Sequence, residues 1–327
     1  LKTAALLPTP GDPFHVLYWL RNYERIWIGE VDELRVLVNG QPDAEARACI
    51  RRAVERVGGV YDERQERMPH GHALNILIQD TDADVVVLVE DDAMVRRPQA
   101  ISEGLASILS YGFDVVSSPR QSMSPELQDA AVARWGECVA SDGATGHGMW
   151  PAFVFARRDA LLATDRGYGE RAWGTGMTVP GLHHTVTGTT CVVDTFGATA
   201  FQLRDSVRVK DLPQFKGPWR WEDWLDCGCD MTWFHIGSLS SSGNLVAEVA
   251  EFAEGRTLTD EMELGEWSHR IHWWDRFLRT AGDEYPEGQV RYRANVVRLM
   301  ERMGVSEDRI RNWDGIVDRV ISWDEHA

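Results

Sequence analysis

The chain has 327 residues, 43% hydrophobic and 26% charged, the balance of a globular protein large enough to bury one large core or two smaller ones. Its formal net charge of −17 works against general binding to nucleic acid or to an anionic membrane, although a local basic pocket remains compatible with it. No apolar run approaches the roughly 20 residues of a membrane span. The five cysteines are too scattered for a disulfide framework, and Cys227 and Cys229 stand too close for a zinc-knuckle pair. With no secretory-signal pattern ahead of the first strand, reduced thiols and a cytoplasmic protein are expected.

Taken in order, residues 2–7 form an apolar strand that runs into Pro8-Thr9-Pro10-Gly11-Asp12-Pro13, a dense turn signal. An amphipathic helix follows over 14–28, with Pro13 suited to its first turn. A second strand over 34–38 closes at Asn39-Gly40. A helix over 43–57 stops at Gly58-Gly59, and a short strand follows at 60–61. Pro69-His70-Gly71-His72-Ala73-Leu74-Asn75 opens a helix reaching about residue 79, ahead of a strand at 84–89. Three strand–helix alternations in 90 residues predict an α/β protein with a mainly parallel, doubly wound sheet.

Beyond that strand the pattern predicts a helix over 98–110, a strand over 113–117 and a helix or lid over 122–137. A Gly-rich stretch spans 142–150. A strand at 152–156 leads into a helix at 157–163. Residues 175–190 show no clear period. Cys191-Val192-Val193-Asp194 precedes a helix over 195–203, with short strands at 207–210 and 232–236 around a Trp- and acid-rich loop at 218–230. From residue 245 to 327 the period is helical. This divides the chain into an α/β body, 1–244, and a helical extension whose aromatic residues could form a homodimer face. Fourteen tryptophans suit both core packing and a surface that stacks sugars or flat rings.

The chemistry concentrates at Asp84–Asp92. Val85–Val89 reads as a strand buried on both faces, and Glu90, Asp91 and Asp92 follow at its carboxyl end. Side-chain alternation would place Glu90 and Asp92 on one face and turn Asp91 away. Three adjacent carboxylates cannot all ionise unless something neutralises them, and a hard divalent cation with oxygen ligands does so. Open α/β sheets bind ligands beyond the carboxyl ends of their strands. Residues 90–92 are therefore expected to form a metal–diphosphate site; an acidic, solvated turn is the plainer reading.

The order of these features resembles a glycosyltransferase of the GT-A fold, of the family-2 type. The matching features are the turn Pro8–Asp12, the strand end Val38-Asn39-Gly40, the Gly-x-Ala-x-Asn pattern at Gly71–Asn75, and an Asp-x-Asp-like motif at Glu90-Asp91-Asp92, with Glu in place of the first Asp. The resemblance implies a Mn²⁺- or Mg²⁺-dependent enzyme moving a sugar from a nucleotide-diphosphate donor, UDP- or GDP-linked, to a carbohydrate or other hydroxyl acceptor. It implies that Pro8, Thr9, Gly11, Asp12 and Asn39 lie along the nucleoside, and that Gly71 and Asn75 lie near the diphosphate. Asp92 would ligate the metal directly, Glu90 would hold the ribose or reach the metal through water, Asp91 would lie with the nucleotide-binding residues, and His235 in Trp233-Phe234-His235-Ile236 would complete the metal shell. Arg67, His70 or His72 could face the diphosphate, and Trp150, Trp219, Trp221 and Trp224 could form an acceptor platform.

For an inverting transfer, the slightly preferred outcome, the base is expected at Asp194. Asp223 in the literal Glu222-Asp223 pair is its rival, and helix capping is the plainer role for Asp194. Two other functions compete. A nucleotidyltransferase would carry Arg and Lys right after the first strand, and 8–13 has neither. A carbohydrate-binding protein without turnover would have no need of Glu90, Asp92 and His235.

Overall fold

The computed structural model describes residues 1–40, 42, 44–95, 97–119, 121–137, 147–165, 167–211, 233–235, 294 and 297. The first strands and helices follow the sequence pattern closely. β1 (Thr3–Thr9) and β4 (Val85–Val89) are buried along their whole length, as continuous apolar runs predict. β2 (Glu33–Val38) and β3 (Val60–Glu63) flank them. α2 (Ala44–Arg56) buries Ala46, Cys49, Ile50, Ala53 and Val54, the 3–4 spacing of one helical face. It ends where Gly58 adopts φ +75° and the Gly59 N–H bonds back to Val54.

The expected helix over 14–28 divides. α1 (Pro13–Asn22) is α-helical, and Tyr23–Trp27 form a π-turn closed by the Ile28 N–H on the Tyr23 carbonyl. Trp19, Tyr23 and Trp27 form an aromatic ladder with centroids 5.6–6.3 Å apart, all buried. Aromatic packing thus accompanies the change of helical type, which apolar spacing alone does not reveal.

α3 (His70–Asp80), β5 (Ala93–Val95), α4 (Gln99–Leu109), β6 (Val115–Ser117), α5 (Pro125–Trp135), β7 (Phe153–Arg157) and α6 (Arg158–Leu162) follow. The stretch 175–190, aperiodic in sequence, lies within a small-sheet region. β8 (Arg171–Trp173) pairs with β11 (Cys191–Val193), and β9 (Thr178–Val179) pairs with β10 (His184–Thr185). α7 (Gly197–Arg204), β12 (Val209–Asp211) and β13 (Trp233–His235) complete the described elements.

The main sheet has seven strands in the order β12-β6-β7-β4-β1-β2-β3. All neighbours are parallel except β7, which runs antiparallel to both β4 and β6. One face, carrying Ala5, Leu7, Val36, Val87, Phe153 and Phe155, packs under α1, α2 and α4. The other, carrying Ala4, Leu6, Val86, Leu88 and Val154, packs under α3, α6 and α7. Each fully buried Leu, Val or Phe contributes about 1.5–3 kcal/mol. α4 lies so close to the sheet that a Cβ on Gly104 would sit 2.4 Å from the Phe155 ring.

The order reverses at β1: the chain builds β2 and β3 on one side, then returns to place β4 on the other. This opens a crevice at the carboxyl ends of β1 and β4, the binding position of open α/β sheets. No helix among the described residues is long and apolar enough to cross a membrane. The expected helical extension and its homodimer face lie outside the described residues, apart from Ala294 and Val297, which are helical.

Candidate active site

A cavity of ≈ 310 Å³ occupies this crevice, lined by Pro8, Thr9, Pro10, Asn39, Arg67, Met68, Pro69, His70, Glu90 and Asp91. Four segments, distant in sequence, supply its walls: the end of β1 with the turn after it, Asn39 after β2, the approach to α3, and the turn after β4. Apolar prolines and Met68 stand beside two carboxylates, with Arg67 and His70 as the basic groups.

Alternation does not carry past β4. The strand ends at Val89, and the Ala93 N–H bonds to the Glu90 carbonyl at 3.0 Å, closing a turn. Glu90 and Asp91 therefore line the cavity together, whereas Asp92 is fully buried and is not part of the lining. The expectation that Asp91 turns away is corrected: its carboxylate accepts the Thr9 hydroxyl at 2.6 Å, which locks the β4 turn to the end of β1. The Thr9 oxygen also accepts the Gly11 N–H at 3.1 Å. Gly11 has φ +89°, and a Cβ there would sit 2.7 Å from Val38, so glycine suits this turn on both counts.

Burial pushes Asp91 up to about 7; the interactions with His15 and the Thr9 hydroxyl oppose this, and Asp92 and Asp12 add to it. His15, buried one turn into α1, is the neighbour that sequence reasoning missed. It sits three residues after Asp12 in an ordinary helical segment, and only the fold brings it to the acids of β4. Asp12 itself is buried outside the cavity lining, with its Oδ1 3.3 Å from the His15 N–H and its carbonyl accepting from Val16. These contacts make it the cap of α1.

Asn39 lines the cavity, but its amide is committed to the backbone of Met68. It donates to the Met68 carbonyl at 2.7 Å and accepts the Met68 N–H at 2.9 Å. This clamp joins the end of β2 to the 67–69 segment. Gly71 does mark a close approach, but to protein: a Cβ there would stand 2.1 Å from the Gly169 nitrogen. Asn75 accepts from Gln79 on α3 and, like the exposed His72, is outside the lining. His70 is in the lining, with Nδ1 3.7 Å from Glu90.

Asp194 is exposed in the turn between β11 and α7. Its Oδ1 accepts the Thr195 N–H at 2.7 Å, and among the described residues nothing donates to its Oδ2. β13 pairs antiparallel with β5, with His235 opposite Ala93, the residue after Asp92. The side chain of His235 lies outside the described residues, as do Asp223, Trp219, Trp221 and Trp224. Among the described residues no three His, Cys, Asp or Glu side chains form a group able to hold a metal ion. Trp150 packs on the core, and of the Gly-rich stretch residues 147–150 are described: Gly148 and Trp150 bond to the carbonyls of Pro119 and Ser118.

The sequence matches no established family profile and no curated protein. Among solved structures, the chain is similar to glucosyl-3-phosphoglycerate synthase from Mycobacterium tuberculosis in complex with Mn²⁺, UDP and glucosyl-3-phosphoglycerate. That match has 20% identity, a TM-score of 0.37 and coverage of 50% of this chain; the chain spans 58% of the synthase's length. It is also similar to a mannosyltransferase from Pyrobaculum calidifontis in complex with GDP-Man and Mn²⁺, with 12% identity, a TM-score of 0.45 and coverage of 98% and 85% of the two chains. Among the described residues the fold is a seven-stranded, mainly parallel sheet flanked by helices.

Proposed function

We propose that the protein transfers a sugar from a nucleoside diphosphate donor to a hydroxyl acceptor, with inversion. The observation that carries this reading is the cavity at the β1/β4 crevice, where apolar residues, Arg67 and His70 stand over Glu90 and Asp91. Prolines and Met68 suit a flat base, and Arg67 and His70 suit a diphosphate.

The donor set fits a hard divalent cation in chemistry: three consecutive carboxylates, Glu90, Asp91 and Asp92, and a histidine brought opposite Ala93 by β13. Asp92, Glu90 and His235 would hold Mn²⁺ or Mg²⁺. When bound, the ion would neutralise charge gathering on the leaving diphosphate. The protein's own part is positional and acid–base. Asp194, exposed among the described residues and with one oxygen held by the Thr195 N–H, takes the proton of the acceptor hydroxyl. The acceptor oxygen bonds to the anomeric carbon as the bond from that carbon to the phosphate oxygen breaks, and the nucleoside diphosphate departs with the electron pair.

Thermal shift with UDP, GDP, CDP, ADP and TDP, each with and without Mn²⁺, tests the donor site. One diphosphate is expected to raise Tm only with metal, and Asp92→Ala to remove that shift. At a ligand concentration about 100-fold above Kd the stabilisation is about 2.7 kcal/mol. No shift with any of the five would overturn the reading.

A further inference from the structure

Phe196 lies two residues after Asp194 and is the one bulky aromatic among the described residues with a positive φ, +72°. A left-handed backbone is costly for such a side chain and persists only where surrounding contacts hold it. Glycine would turn the chain there without strain, so the aromatic ring must bring something the turn alone does not. Phe196 is fully buried. Its ring stacks on Tyr168, with centroids 5.2 Å apart and planes at 20°, and its N–H donates to the Tyr168 carbonyl at 2.6 Å. The Tyr168 hydroxyl in turn donates to the Leu161 carbonyl at 2.9 Å.

Two further anchors hold the tip that Phe196 closes. The Asp194 N–H bonds to the Ser122 carbonyl at 3.0 Å, and the Gln121 amide donates to the Thr195 carbonyl at 3.1 Å. On the other side, the Tyr168–Gly169 backbone lies against Gly71, which follows the cavity residue His70. A continuous packed path therefore runs from Asp194 through Phe196, Tyr168 and Gly71 to the wall of the cavity.

We propose that Phe196, stacked on Tyr168, is a positioning residue that holds the Asp194 carboxylate at a set place relative to the donor cavity. The proposal rests on the reading of Asp194 as the base. A small displacement of a base from its reacting proton is enough to lower turnover without altering donor affinity. The strained turn is then the cost of a rigid link between two halves of the site that are more than 100 residues apart in sequence.

The test compares wild type with Phe196→Gly, which keeps the left-handed turn and deletes the ring, Tyr168→Leu, which removes the stacking partner, and Tyr168→Phe, which keeps it. Calorimetry with UDP and GDP plus Mn²⁺ reads nucleotide binding. Release of UDP or GDP from UDP-glucose and GDP-mannose, with water as acceptor, reads kcat and KM. Amide hydrogen exchange over 194–197 reads the tip, and exchange of β4 reads whether each variant folds. Phe196→Gly and Tyr168→Leu are expected to speed exchange at 194–197 and to lower kcat roughly tenfold or more, with KM unchanged, while Tyr168→Phe behaves as wild type. Unchanged exchange at 194–197, or faster exchange with unchanged kcat, would overturn the proposal. Wild-type protein that binds neither nucleotide would instead sink the donor-site reading, and exchange alone would then decide whether the stack holds the tip.

Discussion

Single side chains do two different jobs around the crevice. Thr9 and Asn39 use polar atoms on protein partners, Asp91 and Met68 respectively, and so fix the walls of the cavity they line. Asp194 is built the other way, with one oxygen held locally and the carboxylate exposed. Asp194→Asn keeps the size and removes the basicity. It is expected to lower release of nucleoside diphosphate from a sugar donor by about 10²–10⁴-fold while leaving diphosphate affinity unchanged, as read by steady-state kinetics beside calorimetry. If Asp223→Asn has that effect and Asp194→Asn is active, the base is Asp223. The identities of these residues were legible in the sequence, but their partners were not, because Met68, Asp91 and Tyr168 are 28 to 82 positions away from the groups they meet.

At the level of elements, the region 171–194 depends on α5. Glu126, in the first turn of that helix, accepts the N–H groups of Thr187 and Gly188 at 2.6 and 2.9 Å, the Thr187 hydroxyl at 3.0 Å and the His184 ring at 2.8 Å. The Thr187 backbone first, then His184 and Gly188, hold its carboxyl well below the usual glutamate range. A carboxyl lowered on folding stabilises the protein above its unfolded value, and that contribution is lost as pH falls below it. Glu126→Gln is therefore expected to lower Tm near neutral pH, and the gap to wild type to shrink from about pH 6 to about pH 3, in calorimetric scans across pH. The sixteen residues 175–190 show no period because strands this short leave no repeat to read. The small sheets stand on one carboxylate and on a separate apolar cluster that joins Leu127 of α5 to Val179 and Val193. The long elements were legible for the opposite reason: α2 and β4 carry enough residues to show their period.

Across the whole molecule, the cavity side and the Asp194 side meet where α3 touches the 168–169 backbone. Gly71→Ala would place a Cβ 2.1 Å from the Gly169 nitrogen and 2.3 Å from its Cα, and neither is the yielding end of a side chain. Forcing that contact apart is expected to cost about 1–3 kcal/mol, seen as a lower midpoint in urea with an unchanged slope. A midpoint equal to wild type would show that the two walls are free to separate.

The sequence by itself determined the α/β class, the strand–helix alternation of the first 90 residues and the place of the acidic turn, because these rest on local periodicity and on residues adjacent in the chain. It also put Gly11 in a dense turn, whereas the contact of Gly71 with the Gly169 backbone is visible only in the fold. Only the tertiary structure decided that β7 runs antiparallel, that Asp91 rather than Asp92 joins Glu90 in the cavity lining, that His15 sits among the acids, and that β13 carries His235 to a place opposite Ala93. Each of these depends on contacts between segments far apart in sequence, or on a turn that ends the two-residue alternation, and side-chain pattern along one segment holds no record of either.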